Sequence, residues 1–306
     1  MSKALIPLVA LSLVGCGSAA SGGQGDGTQV LASFYPLQYV AEQVGGDRVS
    51  VGSLTPPGAE PHDLELTPQD VAAVSEADLV VVLEGFQPAV DEAVDQQAAD
   101  THLDVADAAY LSLGGADDGH GDHGHDDEHA DDEIADPHFW LDPLRLADVG
   151  DAVADRLTQV DPDGEQGYRA GAERLRSELE TLDDEMARGL ARCESTELVT
   201  SHEAFGYLAQ RYGLTQVGIS GLSPEAEPQP GALAEVADHV REHGVTTIFS
   251  ETLVSPEIAE TLADETGATT AVLDPIEGLT DASAGDDYLQ VMRANLETLR
   301  TGLSCA

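Results

Sequence analysis

Apolar positions along this chain fall into short continuous runs and longer stretches of helical spacing, and the two alternate. Gln29-Val30-Leu31-Ala32-Ser33 and Val49 to Leu54 read as strands, with Pro36 to Val44 between them as a short helix stopped by Gly45-Gly46. Leu79 to Leu83 is wholly apolar, the mark of a strand buried on both faces of a parallel sheet. Thr67-Pro68-Gln69-Asp70 opens a helix, with Thr67 as N-cap, Pro68 at the first position and an acid at the third. From Gly164 to Arg192 no proline intervenes, and Leu175, Leu179, Leu182, Met186 and Leu190 recur three or four residues apart. That spacing predicts one helix about 40 Å long, enough to brace two lobes. Strand runs then resume at Glu197 to Thr200, Gln216 to Ile219, Thr246 to Ser250 and Thr270 to Leu273, before a closing helix carrying Leu289, Met292, Leu296, Leu299 and Leu303. The fold class is therefore α/β: two α/β lobes with parallel sheets, 28–163 and 193–306, bridged by a rigid helix over 164–192. No fixed-period repeat is visible.

Charge narrows the functions open to this fold. The chain has 306 residues, with 13 Lys and Arg against 58 Asp and Glu, a formal charge of −45. Phosphate backbones and anionic lipid headgroups repel such a polyanion, which excludes sequence-independent nucleic-acid binding and leaves cationic partners, metal ions above all. Apolar residues at 42% suffice for a core, so the acidity belongs on the surface. Lys3 is the only lysine. A salt-tolerant surface and a genomic bias toward Asp, Arg and Ala both account for that.

Residues 1–15 have the layout of a secretory signal, a charged Lys3, an apolar run from Ala4 to Val14 and then Gly15-Cys16. The run is too short for a bilayer, which needs roughly 20 residues. Leu13-Val14-Gly15-Cys16 resembles a bacterial lipobox, in which the cysteine thiol is acylated, and residues 16–27 follow as a Gly/Ser-rich tether. We expect an exported monomer attached by a lipid at Cys16 to the outer face of the cytoplasmic membrane. Two cysteines remain, Cys193 and Cys305. In an oxidising compartment they permit one bridge, closing a loop of about 100 residues and contributing up to roughly 4 to 5 kcal/mol; two separate thiols are the alternative.

The insert Gly114 to Asp136 carries His120, His123, His125 and His129 among ten Asp and Glu, with Ile134 its one large aliphatic residue, and is predicted to be a mobile loop. Three other histidines stand where elements begin or end. His62 follows the strand ending at Leu54, His202 follows Leu198-Val199-Thr200, and His138 precedes a helix begun by Pro143. Asp274 also ends a strand, and in open α/β sheets ligands bind at the carboxyl ends of strands. Each histidine alone reads as a hydrogen-bonded structural residue. Together, three neutral imidazoles and one carboxylate form a donor set that suits Zn(II). His102, His239 and His243 have no such context.

Four stretches carry a specific resemblance: Gly58-Ala59-Glu60-Pro61-His62-Asp63, Asp136-Pro137-His138-Phe139-Trp140-Leu141-Asp142-Pro143, Thr200-Ser201-His202-Glu203-Ala204-Phe205-Gly206-Tyr207 and Gly221-Leu222-Ser223-Pro224-Glu225-Ala226-Glu227-Pro228. With these the chain resembles, over nearly its whole length, the zinc-type solute-binding proteins (cluster A-I) of bacterial metal-import ABC transporters. The resemblance implies one metal in the cleft between the lobes, ligands at His62, His138, His202 and Asp274, and a permease as partner. In manganese-type relatives the third position is usually glutamate, so His202 favours zinc. An acidic His-rich loop and a disulfide also occur in that family.

Other residues keep two readings. Glu60 is either an accessory metal ligand, a hydrogen-bond partner of an imidazole, or part of a turn. Glu203 has capping-box spacing from Thr200 and reads most simply as a helix cap; Glu251 either orients His202 or ends a strand. Phe139 and Trp140 read as core. The histidine loop captures zinc, buffers it, or is a solvated linker. The functional expectation is high-affinity zinc capture for a permease, not catalysis, with small loop rearrangements on release. A manganese or iron carrier, a secreted zinc hydrolase and a metal-dependent adhesin are the alternatives. Against the hydrolase, a fourth protein donor would close the metal shell, and no His-Glu-x-x-His helix is present.

Overall fold

A computed structural model describes residues 27–114, 135–226 and 228–306. The expected signal segment, the tether up to Asp26 with Cys16, and His120, His123, His125 and His129 lie outside the described residues. The N-terminal lobe runs β1 (Thr28–Ala32), α1 (Tyr35–Gly45), β2 (Val49–Ser53), α2 (Pro68–Glu76), β3 (Leu79–Val82), α3 (Pro88–Gln97), β4 (His102–Asp104) and α4 (Ala106–Ala109). Its four parallel strands are ordered β2-β1-β3-β4, and β3, apolar at every position, is fully buried in the interior of the sheet. The predicted cap of α2 is present: the Thr67 hydroxyl accepts from the Asp70 amide, and the Asp70 carboxylate accepts from the Thr67 amide.

Helices α5 (Pro143–Val160) and α6 (Glu165–Leu190) follow. Asp142 caps α5 by accepting from the Leu144 amide, and Pro143 takes the first helical position. At 26 residues, α6 is about 39 Å long. Its stripe Leu175, Leu179, Leu182, Met186 and Leu190 is buried as predicted. The crossing with α1 is close: a methyl group on Gly171 would come 2.3 Å from the Val44 carbonyl oxygen, so only glycine fits.

The C-terminal lobe repeats the plan with β5 (Glu197–Thr200), α7 (Gly206–Tyr212), β6 (Thr215–Gly218), α8 (Pro230–His243), β7 (Thr247–Ser250), α9 (Glu257–Thr266), β8 (Thr269–Val272) and α10 (Tyr288–Gly302). Again the strands are parallel, in the order β6-β5-β7-β8. One apolar core is continuous through both lobes, from Val30 and Val40 through the α6 stripe to Met292 and Leu299 of α10. Two smaller cores fill the outer faces of the sheets, one around Val80, Val90 and Val94, the other around Ile248, Val240 and Leu262. Cys193 and Cys305 are joined in a disulfide spanning 112 residues. Beside it the Ala306 amide donates to the Arg192 carbonyl, pinning the last residues to the end of α6.

One local expectation fails. Thr200 and Glu203 do not form a capping box, because α7 starts only at Gly206 and the Thr200 hydroxyl donates to the His202 carbonyl instead. The backbone at 201–205 is committed to presenting the His202 ring, and a helix cannot start until it has done so.

Candidate metal centre

Three loops and one turn meet between the lobes. His62 stands on the Pro- and Gly-rich loop between β2 and α2, where Gly58 adopts a φ of 79° and the Glu60 carboxylate accepts from the His62 amide at 2.9 Å. His138 precedes a 3-10 turn, Phe139–Leu141, that leads into α5. Asp136 Oδ1 accepts from both the His138 amide at 2.9 Å and ring Nδ1 at 2.7 Å. His202 follows β5, and Glu251, just past β7, accepts from its amide at 3.0 Å and faces its Nδ1 at 2.5 Å. With Nδ1–H of both rings held by a carboxylate, Nε2 is directed at the centre, the arrangement that orients metal-bound imidazoles.

The three Nε2 atoms converge on one oxygen. Glu277 Oε1 lies 3.2 Å from His138, 3.3 Å from His202 and 3.5 Å from His62. Both Glu277 oxygens and His62 Nε2 are buried and lack a hydrogen-bond partner. A buried carboxylate facing three imidazole nitrogens is costly unless protons or a metal cation hold the cluster together. One donor atom from each of His62, His138, His202 and Glu277 lies within 4.8 Å of the others, a volume that four bonds of about 2.0 to 2.2 Å contract to a tetrahedron.

Electrostatics divide the set. Burial lowers the His62 pKa, so that ring is neutral. Burial also pulls against protonation of His138, yet Asp136 and Glu277 outweigh it and the pKa rises. For His202 burial is again opposed, by Glu251 and then Glu277, and the pKa reaches about 10. Burial works against ionised Glu277, but three imidazoles hold it well below the usual carboxylate range. Glu60, buried beside Glu277, is pushed up to about 8 by burial and by that neighbouring charge. The centre without metal therefore keeps protons on imidazoles around one carboxylate, and a divalent cation replaces them.

Residues 30–302 match the family described as ZnuA, zinc-uptake complex component A, periplasmic. The chain belongs to that family. The zinc-binding lipoprotein AdcA of Streptococcus pneumoniae (strain ATCC BAA-255 / R6) is 36% identical over 310 residues, covering 98% of this chain and 60% of AdcA. This chain thus spans only 60% of the length of that relative. The high-affinity zinc uptake system protein ZnuA of Bacillus subtilis (strain 168) is 35% identical over 303 residues, covering 96% of this chain and 94% of its own. The solved Zn(II)-bound ZnuA-like domain of Streptococcus pneumoniae AdcA superposes with a TM-score of 0.73 at 32% identity, over 90% of this chain and 99% of that one.

Within this ZnuA-family chain the structure brings His62, His138 and His202 together with Glu277, and does not bring Asp274 among them. Asp274 stands outside the cluster, with Oδ1 accepting from the Ile276 amide at 2.8 Å and Oδ2 from the Ser283 hydroxyl at 2.9 Å. It builds the turn that aims Glu277 inward. Ile276, a β-branched residue at φ 59°, is strained there by about 1 to 3 kcal/mol, a cost the surrounding packing sustains. The signal was present in Asp274-Pro275: an aspartate before proline tends to start a turn by bonding its own backbone two residues on, which leaves the next carboxylate available. Of the two readings of Glu251, the structure has the one in which it orients His202; Asp136 escaped attention as the partner of His138 because that pairing depends on the local turn. Glu60 interacts with Glu277 and is not one of the four convergent residues. Trp140 is buried as expected and also ties the lobes, its Nε1 donating to the Pro275 carbonyl at 2.8 Å while Tyr288 donates to the Trp140 carbonyl at 2.6 Å.

Proposed function

We propose that this chain captures Zn(II) outside the cytoplasm and passes it to the permease of an ABC importer, with His62, His138, His202 and Glu277 as ligands. The observation that carries the reading is the convergence of three Nε2 atoms on the buried Glu277 carboxylate. Three nitrogens and one oxygen suit zinc, and hard manganese, which prefers oxygen donors, gains less from them. Four protein donors leave no position for a reactive water, which favours carriage over hydrolysis. The core shared between the lobes supports release by movement of the loop bearing His62, not by wide hinge opening. Attachment through Cys16 and a role for the 114–136 insert in supplying zinc belong to the same proposal; among the described residues no helix is long and apolar enough to cross a membrane.

A competition titration of metal-stripped residues 24–306 with zinc and manganese against a chelator tests it, alongside a version lacking 114–136. One tight zinc equivalent that survives the deletion, with weak manganese binding, is the expected result. Tight binding that disappears with the insert, or manganese outcompeting zinc, overturns it.

A further inference from the structure

A second cluster of donors lies at the opposite end of the C-terminal sheet. Glu197 is the first residue of β5, whereas His202 follows the end of that strand, so the two are separated by the strand's length, about 10 Å or more. Helix α8 packs over the sheet and brings His239 and His243 to the same end. We infer that Glu197, His239 and His243 form a second, surface-exposed site for a divalent transition-metal ion, independent of the centre between the lobes.

Spacing supplies the first argument. Residues four apart on a helix share one face, and two imidazoles so placed chelate a metal from one side. Here the rings stack with centroids 4.2 Å apart and an interplanar angle of 21°. Glu197 supplies the third donor, its Oε2 lying 2.9 Å from His239 Nε2. One donor atom from each of the three lies within 4.8 Å of the others. Tetrahedral bonds of about 2.1 Å place donors roughly 3.4 Å apart. The contraction needed is small, and His243 is exposed and has room to turn.

The surroundings favour a cation. Both histidines belong to the last turns of α8, where unpaired carbonyls carry partial negative charge. The nearby Arg241 is committed elsewhere, its guanidinium donating to Asp238 at 3.0 Å. An ion pair by itself explains Glu197 and His239 but gives no reason for a second imidazole stacked on the first. With three protein donors and an open side, water completes the shell, so binding is weaker and faster to exchange than at the four-donor centre.

The test uses the full chain preloaded with one equivalent of zinc. Carbethoxylation of each histidine is followed by peptide mass spectrometry as zinc chloride is added, which reads His239 and His243 separately from every other histidine. Expected is a joint fall in reactivity of both, at least about tenfold at saturation, and a midpoint raised about tenfold or more by Glu197→Gln. Retention of the preloaded zinc by that variant shows it folded. Unchanged reactivity of the pair up to millimolar zinc, protection of His239 alone, or a midpoint unmoved by Glu197→Gln overturns the site.

Discussion

The two lobes share one strand order and one parallel direction, and each holds one histidine at amide and ring, yet their second contributions to the centre differ. From the N-terminal lobe come His138, clamped at amide and ring by Asp136, and His62, on an irregular loop, fastened through its backbone amide to Glu60 and with no hydrogen bond at ring Nε2. From the C-terminal lobe come His202, clamped at amide and ring by Glu251, and Glu277, on a turn locked by Asp274. Identical sheet topology therefore does not dictate identical sites. What differs is the irregular backbone beyond the strands: one lobe offers two donors that are both fixed, and the other pairs a fixed histidine with an adjustable one.

If that contrast is right, His202→Ala lowers zinc affinity by about 100-fold or more, and His62→Ala by measurably less, in parallel chelator competitions. Equal losses would erase the distinction. Next in size, Glu251→Gln costs about 10 to 100-fold, because the imidazole it holds loses orientation and basicity, whereas Glu60→Gln changes affinity little. Asp274 separates turn-making from ligation: Asp274→Ala is expected to cost about tenfold as Glu277 swings out, and Asp274→Asn, which still accepts from the Ile276 amide, much less. Equal damage by both would restore Asp274 as a ligand.

The smallest effect concerns pH. His202 titrates near 10 in the folded chain against about 6.5 for an unfolded histidine, so it holds its proton more tightly when folded. The stability it contributes is full below about pH 6.5 and is lost as pH rises toward 10. Metal-free protein should thus melt at progressively lower temperature over that window. Zinc displaces the same proton, so the zinc-saturated protein should gain stability with rising pH instead. Parallel slopes in the two melting series would mean that zinc binds elsewhere.

Much of this was legible in the sequence. Apolar runs mark β1, β3, β5 and β7, and the stripe of α6 needs only its spacing to be seen. The three histidines were readable because each adjoins a recognisable element boundary. Three-residue β4, His-Leu-Asp, has too few apolar positions to register, and it is a strand only because β3 offers it an edge. Glu277 was missed for a different reason: Asp274 stands nearer the strand end, and only the turn decides which carboxylate is consumed by the backbone and which is left over. Pattern finds elements and, in Asp274-Pro275, the start of a turn; where a left-handed isoleucine then aims the next carboxylate it does not give.

The apolar core that runs unbroken from the first sheet through α6 into α10 also bears on heredity. Neither lobe closes its own interior, so neither is a module that recombination can lift out and attach to another protein. A break within α6 would leave two sticky halves, each exposing the stripe the other had covered. Such a chain has to be inherited whole to fold.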